Sequence, residues 1–328
     1  MKNLTWQNPE QLFVAQELIN KVKSKCCGIK EEMINTLSIL IPTYNHVCTE
    51  LVESLQAQAS SLPNLEYEIL VADDGSTDEY TIEENRIINQ LDNCRYIERE
   101  TNVGRAAIRN FLAQQAKHPW LLFIDSDLHT NNPYFIQKYI QAEGEVIVGG
   151  LKIGGNPTTL KNNLRYKYEK SCEKQHDFLH RKKIGNKEFR TTNFLIAKDI
   201  ISQCPFDESF KYYGYEDVLF GKSICQNGYS IVHIDNPILL DDYETNYHFV
   251  LKTEEACRTL YQFRKELKGY SKLIDYSEFI SKMGIITPIL KRLFPWIGLH
   301  IKARLTGNKP SILWFNIYKF LYYIHLEA

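Results

Sequence analysis

The chain has 328 residues, of which 44% are hydrophobic and 24% charged, with 39 Lys and Arg against 40 Asp and Glu. This length is enough for one large or two small domains, and the composition excludes a disordered, collagenous or low-complexity protein. A net charge of -1 provides no overall positive field for gathering nucleic acid, so we expect no nucleic-acid partner.

The sequence also bears on the compartment in which the protein works. Eight cysteines are spread along the chain without a C-x-x-C pair or a Cys/His cluster at zinc spacing. The first residues lack the apolar segment of a signal peptide, and no stretch approaches the ~20 apolar residues that span a bilayer. We therefore expect reduced thiols, a cytoplasmic location and no transmembrane helix.

In chain order, residues 1–35 have the apolar spacing of a helix and predict an N-terminal helical appendage. Short strand-like runs then alternate with amphipathic stretches of helix length; these runs are 37–42, 67–72, 95–98 and 120–124. Such alternation predicts an α/β fold with a mainly parallel sheet covered by helices.

The second half of the chain is less regular. A long charged stretch predicts one helix within residues 156–183. It is followed by a predicted strand at 192–197, a helix at 214–227 and a strand at 229–234. We see no internal repeat and no linker before residue 270.

Polar residues follow the first four predicted strands, in the segments 43–45, 73–76, 103–105 and 125–127. Ligands of open α/β sheets bind beyond the carboxyl ends of the strands. The candidate site is therefore the rim formed by these four segments.

Two carboxylates follow the apolar run at 120–124. Because residues i and i+2 of a strand share a face, Asp125 and Asp127 are predicted to face one pocket. Hard oxygen ligands at the end of a buried strand suit Mg²⁺ or Mn²⁺, which bind through one or two carboxylates and substrate phosphates. The alternative is a solvated turn, in which Asp is common.

The acidic segment at 72–79 has a partly structural explanation. Ser76 and Glu79 have the spacing of a capping box that opens the next helix. The adjacent acids Asp73 and Asp74 would repel each other at a strand end unless a cation or a donor-rich ligand engages them. A nucleobase and a ribose provide such donors.

Two further pairs of charged residues lie at predicted helix starts. Arg105 and Arg109 share one helix face, where they can hold a phosphate or pair with the acidic rim; the alternative is solvated arginines on a packed helix. Glu216 and Asp217 begin a helix whose dipole favours their ionised forms, and an ionised Asp in a cleft can act as general base. The alternative for this pair is helix N-terminal charge alone.

The chain resembles the inverting glycosyltransferases of family 2, of the bacterial glycan-biosynthesis type, in five motifs that occur in the same order. They are L-I-P-T-Y-N at 40–45, D-D-G-S-T-D at 73–78, N-V-G with A-I-R-N within 102–110, D-S-D at 125–127 and Y-E-D at 215–217. The resemblance covers about residues 36–240 and implies the GT-A fold, a mainly parallel Rossmann-like sheet flanked by helices with a helical C-terminal extension.

The resemblance also implies a division of the chain. A GT-A catalytic domain is expected at 36–250, with a nucleotide-binding half at 36–150 and an acceptor and catalytic half at 151–250. Residues 251–328 are expected to form a helical C-terminal region. By resemblance, the residues that bind the nucleotide and the donor sugar are Pro42, Thr43, Tyr44, Asn45, Asp73, Asp74, Asn102, Gly104, Arg105, Arg109, Asp125, Ser126, Thr192 and Asn193.

Particular roles follow from the same resemblance. Asp127 matches the acid that binds the divalent metal on the donor diphosphate, and Asp125, nearer the ribose, is a second candidate ligand. Asp217 matches the catalytic base, and Glu216 beside it contacts the acceptor. Arg109 matches an arginine that supports the acidic rim. The third metal ligand is not aligned, and the candidates are Asp242 and His248.

The implied enzyme is a metal-dependent, hexosyltransferase-like protein that moves a sugar from a nucleotide-sugar, a UDP-sugar, to a hydroxyl of a glycan or lipid-linked acceptor. Asp217 takes the proton of the acceptor hydroxyl as its oxygen attacks the anomeric carbon opposite the diphosphate, which inverts the configuration in one displacement. The Q-x-x-R-W signature of processive synthases is absent, so addition of single sugars is favoured.

Two other functions are compatible with parts of the sequence. Phosphatases of the haloacid dehalogenase type carry a D-x-D nucleophile after a strand, as at 123–127, but expect Thr or Val where this chain has His129. A catalytically inactive scaffold that binds a nucleotide-sugar is the other alternative, although both Asp127 and Asp217 are present.

The C-terminal segment 282–328 contains seven Lys and Arg and one acid, interleaved with aromatic residues. A helical apolar stripe is formed by Leu313, Ile317, Phe320, Leu321 and Ile324. This composition is typical of an amphipathic helix on an anionic membrane, so peripheral contact with the inner face of the cell membrane is one expectation. Packing of the stripe on the catalytic domain or a second subunit is the alternative.

Overall fold

The structure is a computed structural model, and it describes residues 34–282, 284 and 286–326. Of the expected N-terminal appendage, residues 1–33 lie outside the described residues. Ile34 is buried, and its amide donates to the carbonyl of Ile140 at 3.3 Å just before the first strand.

Most strands of the described chain belong to one sheet. The strands are β1 Thr36–Thr43, β2 Glu66–Asp73, β3 Cys94–Glu98, β4 Trp120–Ile124, β5 Val146–Val148, β6 Leu151–Ile153, β7 Asn193–Ala197, β8 Ile231–His233 and β9 Ile238–Leu240. Seven of them form a sheet in the order β3-β2-β1-β4-β7-β5-β8, and β6 pairs with β9 in a two-stranded sheet. Within the seven-stranded sheet, β7 alone runs antiparallel to its neighbours.

Helices connect and cover the strands. They are α1 Thr49–Ser60, α2 Glu79–Arg86, α3 Arg105–Gln115, α4 Phe135–Ile140, α5 Leu164–His176, α6 Phe178–Ile184, α7 Lys198–Gln203, α8 Glu216–Gln226, α9 Asn246–Gln262, α10 Lys272–Ser281, α11 Ile286–Thr306 and α12 Ile312–Leu326. The α/β class predicted from the alternation of patterns is confirmed.

The central strands are apolar on both faces because helices pack on each side of the sheet. In β1, Leu37, Ile39 and Ile41 belong to one apolar layer and Leu40 to the other. This arrangement explains why β1 is a continuous apolar run rather than an alternating pattern, as expected for a strand buried on both faces.

The structure corrects one predicted element and adds three strands that the sequence did not predict. The single helix expected within 156–183 is broken at Asp177, whose carboxylate accepts from the amides of Leu179 and His180 and so caps α6. The strands β5, β6 and β9 have three residues each, too few to produce a periodic signal.

The C-terminal helices pack on earlier helices of the chain, where Leu164 of α5 and Val250 of α9 are buried with them. Phe315 and Tyr318 of α12 are buried with Ile301 and Leu305 of α11 in a third apolar cluster. In the predicted stripe, Leu313 is exposed, Ile324 is buried, and the three residues between them are partly buried. The stripe on α12 therefore packs on the protein. None of the described helices is both long and apolar enough to cross a membrane.

Candidate active site

The rim predicted from the sequence is formed where β1, β2 and β4 end. These strands are parallel neighbours, and Thr43 at the end of β1 lies opposite Asp73 at the end of β2. The amide of Asp74 donates to the carbonyl of Thr43 at 2.9 Å, which joins the loops that follow the two strands. Pro42 is partly buried within β1, whereas Tyr44 is about half exposed at the rim.

Asn45 fastens the loop after β1 to the loop after β2. Its φ of 48° aims the side-chain carbonyl oxygen at the amides of Thr77 and Asp78, at 2.8 and 3.1 Å. Its own amide donates to Oγ of Ser76 at 2.7 Å. The predicted capping box is therefore wrong, because Ser76 bonds Asn45 while Asp78 caps α2 by accepting from the amide of Thr81.

Asp73 and Asp74 are both buried and receive donors from the chain itself. Asp73 accepts from the amide of Ser76 at 2.7 Å and from the hydroxyl of Tyr96. The carboxylate oxygens of Asp74 accept from the amides of Val103 and Gly104, each at 2.9 Å. The adjacent acids are thus explained without a ligand, and their contact with a nucleotide stays a prediction.

Asp74 holds the loop that leads into α3. Burial raises the pKa of its carboxyl above the ordinary value, against the two amide bonds that lower it. Gly104 has a φ of 90°, and a Cβ there would lie 2.9 Å from the carbonyl oxygen of Lys211. Asn102 accepts from the amide of Gly104 at 3.1 Å and is itself exposed at the rim. Glycine is therefore required for the loop to fit between Asp74 and the segment at Lys211.

A buried arginine joins the two acidic motifs. The guanidinium of Arg109, 2% exposed, donates to Asp125 at 2.7 Å and to Glu216 at 3.3 Å. Arg105, one turn earlier on α3, lies 3.9 Å from Glu216. Arg109 thus contacts one acid of each motif, and its supporting role in the site stays a prediction. Glu216 is buried in this pair, and its contact with an acceptor stays a prediction.

Asp217 lies beside this pair but is not paired with Arg109. The helix α8 begins after Tyr215, which has a left-handed φ of 69°, and Oδ1 of Asp217 accepts from the amide of Val218 at 2.8 Å. Burial and the neighbouring Glu216 carboxylate raise the pKa of Asp217 to about 6. The expected effect of the helix dipole on the ionisation of Asp217 stays a prediction. A pKa near neutrality suits a general base.

Positive side chains surround Asp127. Arg165 of α5 lies 3.4 Å from Oδ2 of Asp127. Burial raises the pKa of Asp127, but the nearby Arg165, Arg105 and His46 lower it more, so the pKa is below the ordinary value. Arg165 also pairs with Glu244, and Lys252 of α9 lies 3.4 Å from the same carboxylate.

Arg165 and Lys252 were not among the site residues predicted from the sequence. They come from α5 and α9, outside the five motifs, and no local pattern sets them apart from other surface cations. The only signal was that Arg165 falls in the highly charged stretch at 156–183. Lys252 and Arg105 lie around Tyr213, whose ring centroid is 4.7 Å from the Arg105 guanidinium and 5.8 Å from Nζ of Lys252.

The D-S-D segment forms a turn rather than a continuation of β4, which ends at Ile124. Its two carboxylates therefore do not share a strand face, but both raise the pKa of Arg105. Ser126, between them, is partly buried.

This turn fits a divalent cation whose coordination is completed by substrate phosphates. Oδ1 of Asp127 has no hydrogen-bond partner within the described part of the chain. In those same residues no three His, Cys, Asp or Glu side chains are grouped as a complete metal site. Asp242 and His248 are exposed, and their role as ligands stays a prediction.

The start of β7 reaches the same rim because β7 runs antiparallel to β4. Asn193 lies opposite Ile124, and the carbonyl of Thr192 accepts from the amide of Asp125 at 3.1 Å. The side chain of Asn193 is fully buried between Tyr139 and the Gly150 carbonyl, so it supports the fold. The hydroxyl of Thr192 is buried without a hydrogen-bond partner in the described structure, as expected of a group that awaits a polar ligand.

A cleft of about 940 Å³ opens beside the rim between the loop after β1, α3 and the segment before α8. Its walls include Tyr44, Asn102 and Val103 on one side and Lys211 and Tyr212 on the other. Two of the predicted nucleotide-binding segments, those with Tyr44 and Asn102, therefore border a cavity of the size that holds an organic ligand, and the D-S-D turn and Asp217 lie outside its lining.

Comparison with known proteins agrees with the motifs. A family model described as Glycosyl transferase family 2 matches residues 38–204, about half of the chain. A chondroitin synthase of Escherichia coli is 27% identical over 233 residues, which cover 61% of this chain and 33% of that protein. The poly(ribitol-phosphate) beta-N-acetylglucosaminyltransferase TarS of Staphylococcus aureus is 38% identical over 97 residues, which cover 29% of this chain and 16% of that protein. The chain thus spans a third or less of the length of these curated relatives.

Solved structures include similar chains. Residues 1–349 of S. aureus TarS in complex with UDP-GlcNAc have a TM-score of 0.48 and 18% identity, over 89% of this chain and 91% of that chain. The mannosyltransferase PcManGT of Pyrobaculum calidifontis, in complex with GDP-Man and Mn²⁺, has a TM-score of 0.49 and 11% identity, over 95% of this chain and 93% of that chain. The expected family is confirmed by the family match, and the expected fold class by that match together with the strand order.

Proposed function

The chain belongs to glycosyl transferase family 2, and on that premise we propose that it transfers a sugar from a UDP-sugar to a hydroxyl group of a glycan or lipid-linked acceptor, with inversion. The main support is the buried Arg109 bridge, which holds Asp125 of the D-S-D turn and Glu216 of the E-D pair on one guanidinium. The bridge brings the predicted donor site and the predicted base to one place in the fold.

In the proposed reaction, Asp217 receives the proton of the acceptor hydroxyl as that oxygen attacks the anomeric carbon. Arg109 and Glu216 position the start of α8, and with it Asp217. A divalent cation, Mn²⁺ or Mg²⁺, held by Asp127 with Asp125 nearby, would neutralise charge on the leaving diphosphate as a Lewis acid. Arg105, Arg165 and Lys252 place further positive charge around that position.

The choice of donor and acceptor rests on the names of the relatives. TarS is named for transfer of N-acetylglucosamine to poly(ribitol-phosphate), and a Bacillus spizizenii relative, 33% identical over 122 residues, for transfer of glucose to the same polymer. A hexose or N-acetylhexosamine donor and a polymeric acceptor rich in hydroxyls are therefore proposed. A cytoplasmic location with peripheral membrane contact through residues 282–328 is part of the proposal.

The nucleotide is tested by thermal unfolding with UDP, GDP, CDP and dTDP, each with and without Mn²⁺. A ligand that binds only the folded state stabilises it by about 2.7 kcal/mol at one hundred times its dissociation constant. We expect UDP with Mn²⁺ to raise Tm most. Equal shifts, or no shift, with all four nucleotides would contradict the UDP assignment.

The base is tested with Asp217→Asn, and Asp199→Asn, an exposed acid in the first turn of α7, is the matched control. We expect Asp217→Asn to abolish sugar transfer while the UDP-dependent rise in Tm persists, and we expect the control to retain both. Retained transfer in Asp217→Asn, or loss of nucleotide binding together with transfer, would contradict the role of Asp217. The inactive-scaffold alternative predicts nucleotide binding without transfer in the unmodified protein.

A further inference from the structure

Exposed apolar side chains are concentrated on one helix outside the active site. Half of the exposed large hydrophobic residues in the described chain lie between residues 276 and 313. Most belong to α11, in which Trp296 is 75% exposed and Leu299 is 70% exposed. Single exposed apolar residues need no explanation, but a contiguous patch marks an interaction surface.

The exposed residues of α11 share one face of the helix. Ile289, Leu293, Trp296 and Ile297 follow the spacing i, i+4, i+7 and i+8, which places them on one side. Leu299 lies at the edge of that side. We call these five residues the α11 apolar face.

The opposite side of α11 is already occupied. Ile301 and Leu305 are buried against α12, and the ring of Phe294 lies 5.9 Å from that of Tyr318. The helix therefore has two apolar sides, and its packing on the protein uses only one of them. The α11 apolar face is not needed to bury the helix on its own chain.

The charged side chains of α11 and α12 themselves have one sign. Between residues 286 and 326 the chain has six Lys and Arg and no Asp or Glu. Arg292 and Arg304 are exposed on α11, and Arg304 lies over the ring of Trp314 with 5.7 Å to the centroid. Lys302, also on α11, forms an ion pair with Glu254 of α9 at 2.7 Å.

We propose that the α11 apolar face is a docking surface for an anionic lipid bilayer, on which α11 lies in the membrane plane. Apolar and Trp side chains enter the boundary between headgroups and acyl chains, and the flanking arginines contact anionic headgroups. A second copy of this chain would bring the same positive charges together, so charge complementarity favours the lipid. This inference refines the peripheral contact included in the proposed function, and it places that contact on α11 rather than on the stripe of α12.

The test is co-sedimentation of the full chain with vesicles of phosphatidylcholine alone and with 30% phosphatidylglycerol. We expect binding to the anionic vesicles only, and release at high salt. The double variant Trp296→Ser with Leu299→Ser should bind at least tenfold more weakly, and both residues are exposed enough for the fold to tolerate the change. Leu179→Ser, an equally exposed leucine on α6, is the control and should bind as the unmodified protein does.

A second variant tests the charge contribution. Arg292→Gln with Lys309→Gln changes two exposed cations and should also weaken binding to the anionic vesicles severalfold. Absence of vesicle binding, or equal binding by all variants, would overturn the proposal. So would a dimer in analytical ultracentrifugation that the Trp296 and Leu299 changes dissociate, because a second copy would then cover the face. No sugar donor enters these assays, so their failure leaves the proposed transfer activity untouched, and loss of transfer leaves the docking surface untouched.

Discussion

Arg109→Met is expected to destabilise the fold by about 3 kcal/mol. Removing one partner of a buried ion pair costs about 3–5 kcal/mol, because the other charge stays buried without compensation. The lower end applies because Asp125 is 17% exposed and Glu216, 4% exposed, keeps Arg105 at 3.9 Å. With an unfolding entropy of about 2.1 cal/mol/K per residue over 328 residues, such a loss lowers Tm by roughly 4 °C.

Urea unfolding of the variant and the unmodified protein measures this loss. Arg86→Met is the matched control, because Arg86 also joins two carboxylates, Glu83 and Glu98, but in an exposed network. Exposed ion pairs contribute little to stability, so the midpoint of the control should hardly move.

The cause of the loss is tested by a second substitution. Glu216→Gln added to Arg109→Met should restore part of the stability, because it removes the buried charge. A loss no larger than that of Arg86→Met, or one that Glu216→Gln does not reduce, would refute the bridge as the link between the two motifs.

Three further predictions concern single positions. The kcat/KM of transfer should rise with pH around a midpoint near 6 and then level off, because Asp217 acts only when ionised and its pKa is about 6; a flat profile between pH 5 and 7 would contradict this. Gly104→Ala should lose about 1–3 kcal/mol more than Gly228→Ala in urea unfolding, because φ is about equal at both positions but only at Gly104 does the added Cβ meet backbone. Arg165→Met should lower the Mn²⁺ concentration that half-saturates the UDP-dependent rise in Tm by on the order of fivefold, since Asp127 loses a positive neighbour worth about 1 kcal/mol; Lys170→Met on the same helix should change nothing.

The strands that build the rim could be predicted because each carries a strong local signal. The apolar run at 37–42 and the polar residues that follow it predict both β1 and the position of Tyr44 and Asn45 at its end. The predicted capping box is wrong because two patterns compete for the same residues. The amide of Asn45, 31 residues earlier, donates to the hydroxyl of Ser76, and Asp78 caps the helix instead.

Contacts between distant segments could not be predicted in this way. Arg109 and Glu216 are 107 residues apart, and the sequence left open whether the arginine meets a phosphate, the acidic rim or solvent. Arg165 and Lys252 reach Asp127 and Glu244 only because α5 and α9 pack together, which no periodicity encodes. The apolar stripe predicted at 313–324 lies on α12, but the sequence did not indicate which apolar surfaces of the C-terminal helices are covered. On α11 two sides are apolar, and only the packing shows which of them is buried.

The ion pairs of the rim indicate how a donor enters. Within the described residues, four cations and four carboxylates pair within 4 Å and balance in charge; they are Arg105, Arg109, Arg165 and Lys252 with Asp125, Asp127, Glu216 and Glu244. A diphosphate alone would add uncompensated negative charge to this network, whereas a diphosphate with a divalent cation adds little net charge.

We therefore expect UDP to raise Tm strongly only when Mn²⁺ is present, and UDP with a chelator to give a much smaller shift. Asp127→Asn should reduce the difference between the two conditions, whereas Asp199→Asn should not. If UDP gave the same shift with and without Mn²⁺, Arg165 and Lys252 would suffice to hold the diphosphate, and the assignment of Asp127 as a metal ligand would be wrong.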